Sequence, residues 1–284
     1  MSAPFAAAAS HAAKRREIWA THNLRVHLCA SLGLCGLFVA ACTERPVADP
    51  DVLTLAVFAS PNNFDPRIGT DEVSQKVYQL VFDTLLTLDD QLRVAPGLAT
   101  RWEQPDDNTF VVHLRSGVTF HDGRALTASD VAYTFNSLID PAFVSARRGA
   151  YAVLDRVEVV DTDTARFVLK EPSGSFAIQL VLPIIPDGSG AELRTAPIGT
   201  GPYRFVSYAV DDFLELAAFE HYHGGRPRNA GVLLKIVPDE IMRGLELKKG
   251  TVDLIVNDIN PDTVEQFRGD GSKQIIAATG TDYA

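Results

Sequence analysis

The sequence predicts an α/β protein with a smaller α+β segment, and three observations carry that reading. Residues 52–88 read as strand, loop and amphipathic helix. Residues 110–135 (FVVHLRSGVTFHDGRALTASDVAYTF) give a strand, a tight turn and a capped helix in immediate succession. Residues 232–270 alternate strand and helix twice. Strands followed by helices at regular intervals are the pattern of layered α/β and α+β folds.

The elements follow in order. Lys14, Arg15, Arg16 and Arg25 precede an apolar run at 26–41, which is short of the ~20 residues of a spanning helix. It ends in Val39-Ala40-Ala41-Cys42, which resembles a bacterial lipoprotein cleavage box. Residues 1–41 are thus expected to be a signal peptide and Cys42 a lipid attachment site. All three cysteines (Cys29, Cys35 and Cys42) fall at or before the cut, so the processed chain would hold no disulfide. Residues 42–51 are polar and Pro-rich, suiting a tether.

Residues 52–58 (VLTLAVF) are an apolar strand, and 60–67 (SPNNFDPR) a loop of turn formers. Asp65, which precedes Pro66, reads as a turn-maker rather than a ligand contact. A helix is expected over 72–88, with Val73, Val77, Leu80, Val81, Leu85 and Leu88 on one stripe. Phe110, Val112 and Leu114 alternate with Val111, His113 and Arg115 along a half-buried strand. Asp122-Gly123 is a turn, and Thr127 with Asp130 forms a capping box. Val131, Thr134, Phe135 and Leu138 then share one helical face. A hairpin spans 155–170, a loop 183–190, and a second hairpin turns at 210–212. There follow a strand at 232–237, a helix at 240–249 stopped by Gly250, and a short buried strand at 254–256. A helix capped by Asn260-Pro261 ends at Gly269, and a last strand covers 274–278.

Two segments resemble one known family. The stretch from Leu114-Arg115 through Gly117-Val118, Phe120, Asp122-Gly123, Leu126-Thr127-Ala128 and Asp130-Val131 to Tyr133-Thr134-Phe135 is similar to a signature of extracytoplasmic solute-binding proteins, family 5, of peptide and nickel ABC transporters. Residues 197–205 (PIGTGPYRF) resemble that family's "P-x-GTGPY-x-(F/L)" segment, and 222–227 (YHGGRP) its "YW-x-G-(K/R)-P" turn, with His223 in place of Trp. The resemblance implies a type II periplasmic-binding-protein-like lobe with a mixed sheet, at 52–90 and 191–272. It implies a small inserted α+β lobe at 91–190, and at 273–284 the start of a crossover to a second large lobe that the sequence lacks. It further implies capture of a solute, peptides first and then nickel chelates, opines or sugars, for delivery to ABC permease subunits. Such a protein would act as a periplasmic monomer held to the membrane by its lipid, without a cofactor. Asn62, Asn63 and Phe64 on the first loop, and Gly199, Thr200 and Gly201 on the return loop, would line this lobe's half of the cleft. Other readings stay open: a sensor or chaperone-like lipoprotein on the same lobe, or a truncated remnant without function.

Composition excludes several classes. The chain carries 26 basic and 36 acidic residues; four basic residues and one acidic residue precede Cys42, leaving 22 against 35. Such a balance lacks the basic footprint of a nucleic-acid binder. No G-x-S-x-G elbow, H-E-x-x-H motif or phosphate loop occurs, and the glycines at 199 and 201 flank no Lys-Ser/Thr. His221-x-His223 has no cysteine or acidic cluster at ligand spacing, so a solvated turn is expected there rather than a metal site.

Overall fold

The computed structural model describes residues 51–257, 259–271 and 273–277. The expected signal peptide, Cys42 and all of the tether but Asp51 lie outside the described residues. Two sheets dominate. The larger has the order β11-β1-β10-β9-β8. It is built from β1 (Val52–Val57), β8 (Tyr203–Ala209), β9 (Phe213–Ala218), β10 (Gly231–Ile236) and β11 (Leu254–Ile255). β1 pairs in parallel with β10 and β11, whereas β8, β9 and β10 pair antiparallel, so the sheet is mixed. The smaller sheet is antiparallel, in the order β4-β5-β7-β6, from β4 (Ala99–Asp106), β5 (Thr109–Leu114), β6 (Leu154–Asp161) and β7 (Thr164–Leu169). A ribbon of β2 (Leu86–Leu88) and β3 (Val94–Pro96) stands beside it.

The buried side chains form two cores. Leu55, Val57, Phe64, Val77, Val81 and Phe82 join Ile185, Leu193, Leu214, Leu216 and Leu234 in one. Leu85, Leu98, Val112, Phe120, Phe135, Phe167, Phe176 and Ile184 belong to the other. The chain therefore changes core between Phe82 and Leu85, and again between Ile184 and Ile185. Leu85 and Leu86, expected in the larger lobe, pack in the core of the smaller sheet. In β5 the alternation holds residue by residue, with Phe110, Val112 and Leu114 buried and the intervening positions half-exposed.

α2 (Ala128–Ile139) starts as the sequence requires. Asp130 Oδ2 accepts from the Thr127 amide at 2.8 Å and its hydroxyl at 2.9 Å. Its face of Val131, Thr134, Phe135 and Leu138 is buried across β6 and β7. α3 (Phe176–Gln179) is a single turn. α4 (Glu240–Lys249) ends at Gly250 with φ 75°, the left-handed cap that glycine favours.

Four expectations need correction. The first helix, α1 (Glu72–Val81), stops seven residues short of Leu88, and Leu86–Leu88 is strand. The reason is tertiary: Gly201 N donates to the Val81 carbonyl, and the Leu85 carbonyl accepts from Gly97 N and Ala99 N. β11 is an edge strand whose Leu254 is 42% exposed, not a buried one. α5 (Pro261–Asp270) passes through Gly269 and turns at Gly271, φ 64°. Residues 274–277 are exposed and form no strand, because alternating side chains cannot stand in for a paired neighbour; Ala278 lies outside the described residues.

Candidate functional site

In sheets with parallel strands, ligands bind outside the carboxyl ends, where successive loops diverge. Three parallel strands end on one side of the larger sheet here. β1 runs into the loop at 58–71, β10 into Asp239 (the N-cap of α4), and β11 into Val256 and Asn257. Val237 N donates to Val57 O at 2.8 Å and closes the space between β1 and β10. The hairpin turn between β8 and β9 joins this edge. Ser60 Oγ donates to Asp211 Oδ1 at 2.9 Å, and Asp211 N donates back to Ser60 Oγ at 2.8 Å. Asp211 (φ 59°) and Asn257 (φ 67°) both hold left-handed backbone there, a geometry that Asp and Asn tolerate best among non-glycine residues. Exposed at the edge are the apolar Phe58, Val210, Pro238 and Val256, the polar Asn62 and Asn257, and the acidic Asp211, Asp212, Asp239 and Glu240, so the charges on this rim are acidic.

The residues expected to line a cleft separate by role. Asn62 is exposed on the loop. Asn63 is spent on the loop itself: its Oδ1 accepts from Asp65 N at 2.9 Å and its carbonyl accepts from the Tyr78 hydroxyl at 2.7 Å. Phe64 is 2% exposed and packs edge-on to Tyr208, ring centroids 5.0 Å apart. Asp65 is a turn residue, as its position before Pro66 predicts, since its carbonyl accepts from Ile68 N and Gly69 N. It is also half of a buried ion pair with Arg67 Nη2 at 2.7 Å, and Arg67 Nη1 reaches Ser137 Oγ of α2 at 2.8 Å.

Gly199, Thr200 and Gly201 form a joint between the two cores. A Cβ on Gly199 would collide with the Val81 carbonyl, and one on Gly201 would lie 2.6 Å from Val81 C. Glycine is required at both by close approach of another backbone. Thr200 is fully buried and its hydroxyl donates to Asp83 Oδ2 at 2.9 Å. Asp83 also accepts from the Tyr222 hydroxyl at 3.1 Å and lies 3.1 Å from His223 Nε2. Burial, with Asp83 beside it, pushes the Tyr222 hydroxyl up to about 12, which keeps it a donor. His121 completes the joint, with Nε2 2.9 Å from Gly201 O and Nδ1 3.3 Å from Gly199 N. Nothing in the local sequence marks His121 or Asp83; only the fold brings positions 83, 121, 200 and 223 together.

Among the described residues no group of three or more His, Cys, Asp or Glu could hold a metal ion. An open cleft of about 530 Å³ lies between α4 and α5 and is lined by Ile241, Leu245, Thr263 and Phe267.

A mixed sheet, a smaller antiparallel sheet with its own core inserted after the first helix, and an open carboxyl edge define a binding lobe of the type II periplasmic class. The chain belongs to the bacterial extracellular solute-binding proteins, family 5, whose middle region matches residues 93–284. It is 32% identical over 262 residues to di/tripeptide-binding protein 4 of Pseudomonas aeruginosa, covering 81% of this chain and 48% of that one. The fold is similar to that of the oligopeptide-binding protein AppA from Bacillus subtilis, solved in complex with a nonapeptide. There the TM-score is 0.71 at 26% identity, over 75% of this chain and 45% of that one. It is also similar to NikZ from Campylobacter jejuni in complex with Ni(L-His), with a TM-score of 0.71 at 25% identity, over 78% of this chain and 45% of that one. The chain spans about half the length of the curated relatives it matches.

Proposed function

We propose that this chain forms one lobe of an extracytoplasmic solute receptor that captures short peptides and delivers them to an ABC permease. The observation that carries this reading is Asn62, exposed on an otherwise largely buried first loop, at the carboxyl edge of a family 5 sheet. The acidic rim of Asp211, Asp212, Asp239 and Glu240 supports a solute that carries an ammonium group, as a peptide does, over a purely anionic one. In this reading the larger lobe comprises residues 52–82 and 185–271, and the inserted lobe 83–184. Cys42 carries the lipid that keeps the protein at the membrane.

The test is uptake. Deleting the gene from its host should lower uptake of labelled di- and tripeptides, and the Asn62→Ala gene should restore it only in part. Unchanged peptide uptake overturns the reading; if nickel–histidine uptake falls instead, the solute is a chelate. For the anchor, labelled palmitate should enter the wild type and not Cys42→Ala, and equal labelling of both overturns it.

A further inference from the structure

The two sequence segments that carry the family resemblance touch each other, and His121 is where they meet. Its main-chain N donates to Gly199 O at 2.9 Å, and its ring spans the next residues of the return loop. An amide N–H only donates and a carbonyl only accepts. The ring therefore accepts from Gly199 N at Nδ1 (3.3 Å) and donates to Gly201 O from Nε2 (2.9 Å), which fixes the neutral Nε2–H tautomer. An imidazolium carries a proton on both nitrogens and would turn Nδ1–H against Gly199 N–H.

The surroundings are mixed in charge. Asp83 at the end of α1, Arg204 of β8 and Asp122 of the turn face the ring, and Phe219 packs against it edge-on at 4.9 Å. Burial is the largest influence and pushes the imidazole below its ordinary value, ahead of the Gly201 carbonyl and Asp83, which act the other way. His223, the other histidine of the joint, faces Asp83 at 3.1 Å and packs against Tyr222 with the rings tilted by 53°. Its partner Asp83 is an acceptor, so a second proton on His223 does not oppose that contact.

We propose that His121 is an acid-sensitive latch: a proton on Nδ1 breaks the ring's bond to Gly199 N and loosens the Gly199 end of the return loop, residues 197–202, where the two cores meet. Its physiological sense rests on the proposed extracytoplasmic location, where pH follows the medium, but the latch itself is tested on the isolated protein.

The experiment is NMR of the full chain from pH 8 to 4.5, reading the His121 ring nitrogens together with hydrogen exchange at the Gly199 and Gly201 amides. As His121 gains its second proton, the protection factor of the Gly199 amide should fall by about tenfold, the scale of one lost buried hydrogen bond, while the Gly201 amide, bonded to Val81 O, should stay protected. His121→Gln offers an acceptor and a donor that do not titrate, and should hold protection level; His223→Gln should keep the wild-type response. Should His121 protonate while the Gly199 amide stays protected, or that amide lose protection while the ring stays neutral, the latch is overturned. If His121→Gln does not fold, the wild-type ring and amide titrations decide alone, and peptide uptake by the host bears on neither.

Discussion

Asp65 and His121 show how one side chain can take its role from residues the sequence does not place beside it. Asp65 reads locally as a turn residue, and it is one. What spacing cannot reveal is that the turn is sealed, so that Asp65 and Arg67 are 1% and 3% exposed. Arg67 also sits 4.5 Å over the Phe143 ring and bonds to Ser137, both brought in by the other core. Removing one partner of a buried pair strands the other charge, at a cost of about 3–5 kcal/mol. Asp65→Ala should lower stability by that amount in urea denaturation, whereas Asp65→Ala with Arg67→Met should cost clearly less. Equal losses would mean that the pair is not an isolated charge problem. His121 sets a pH dependence of definite sign. The folded chain binds the imidazole proton less readily than the unfolded chain, because its value lies below the ordinary 6.5. Its contribution is fully present above pH 6.5 and is lost as pH falls through the lowered folded value. Denaturation midpoints should therefore fall between pH 7.5 and 5 more steeply for the wild type than for His121→Gln, and parallel curves would refute the assignment.

At the scale of elements, the sequence was most legible where a local rule and a tertiary contact agree. α2 is such a case, since capping box and apolar stripe both survive in the fold. Its polar residues also hold the loop that returns to the core of the larger sheet. Asp130 Oδ1 accepts from Asp187 N at 2.8 Å, Thr134 Oγ1 accepts from Ile185 N at 3.1 Å, and Tyr133 donates to Ser189 O. Asp130→Ala thus removes a cap and a long-range bond together and should cost about 2 kcal/mol, above the ~1 kcal/mol usual for a cap alone. A measured loss near 1 kcal/mol would show the Asp187 contact to be idle. α1 was misread for the opposite reason. Leu85 and Leu88 continue the helical spacing, yet the Val81 carbonyl is taken by Gly201 N, 120 residues further on. That contact leaves no room for a side chain, so Gly199→Ala should destabilise by about 3 kcal/mol in thermal or chemical unfolding. The last expected strand failed because periodicity describes faces and says nothing about partners.

For the molecule as a whole, the question is which of the two loops grips a solute and which keeps the cores in register. Sequence likeness put Asn62, Asn63, Phe64, Gly199, Thr200 and Gly201 on the same footing. Their environments divide them. Phe64 and Thr200 are buried, Asn63 is engaged within its own loop, and Gly199 and Gly201 press on α1. Asn62 is the member of the set left exposed at the carboxyl edge, beside the Ser60–Asp211 link. A residue that binds solute can be changed with little effect on unfolding, whereas one that closes a joint cannot. Asn62→Ala should therefore leave the unfolding free energy within about 0.5 kcal/mol of wild type while reducing peptide uptake by its host. Thr200→Val keeps the shape of the side chain and leaves Asp83 short of a donor, so it should cost about 1–3 kcal/mol. Uptake should then fall only as far as the loss of folded protein requires. The reverse pattern, with Asn62 governing stability and Thr200 governing uptake at full stability, would move the solute from the sheet edge to the joint.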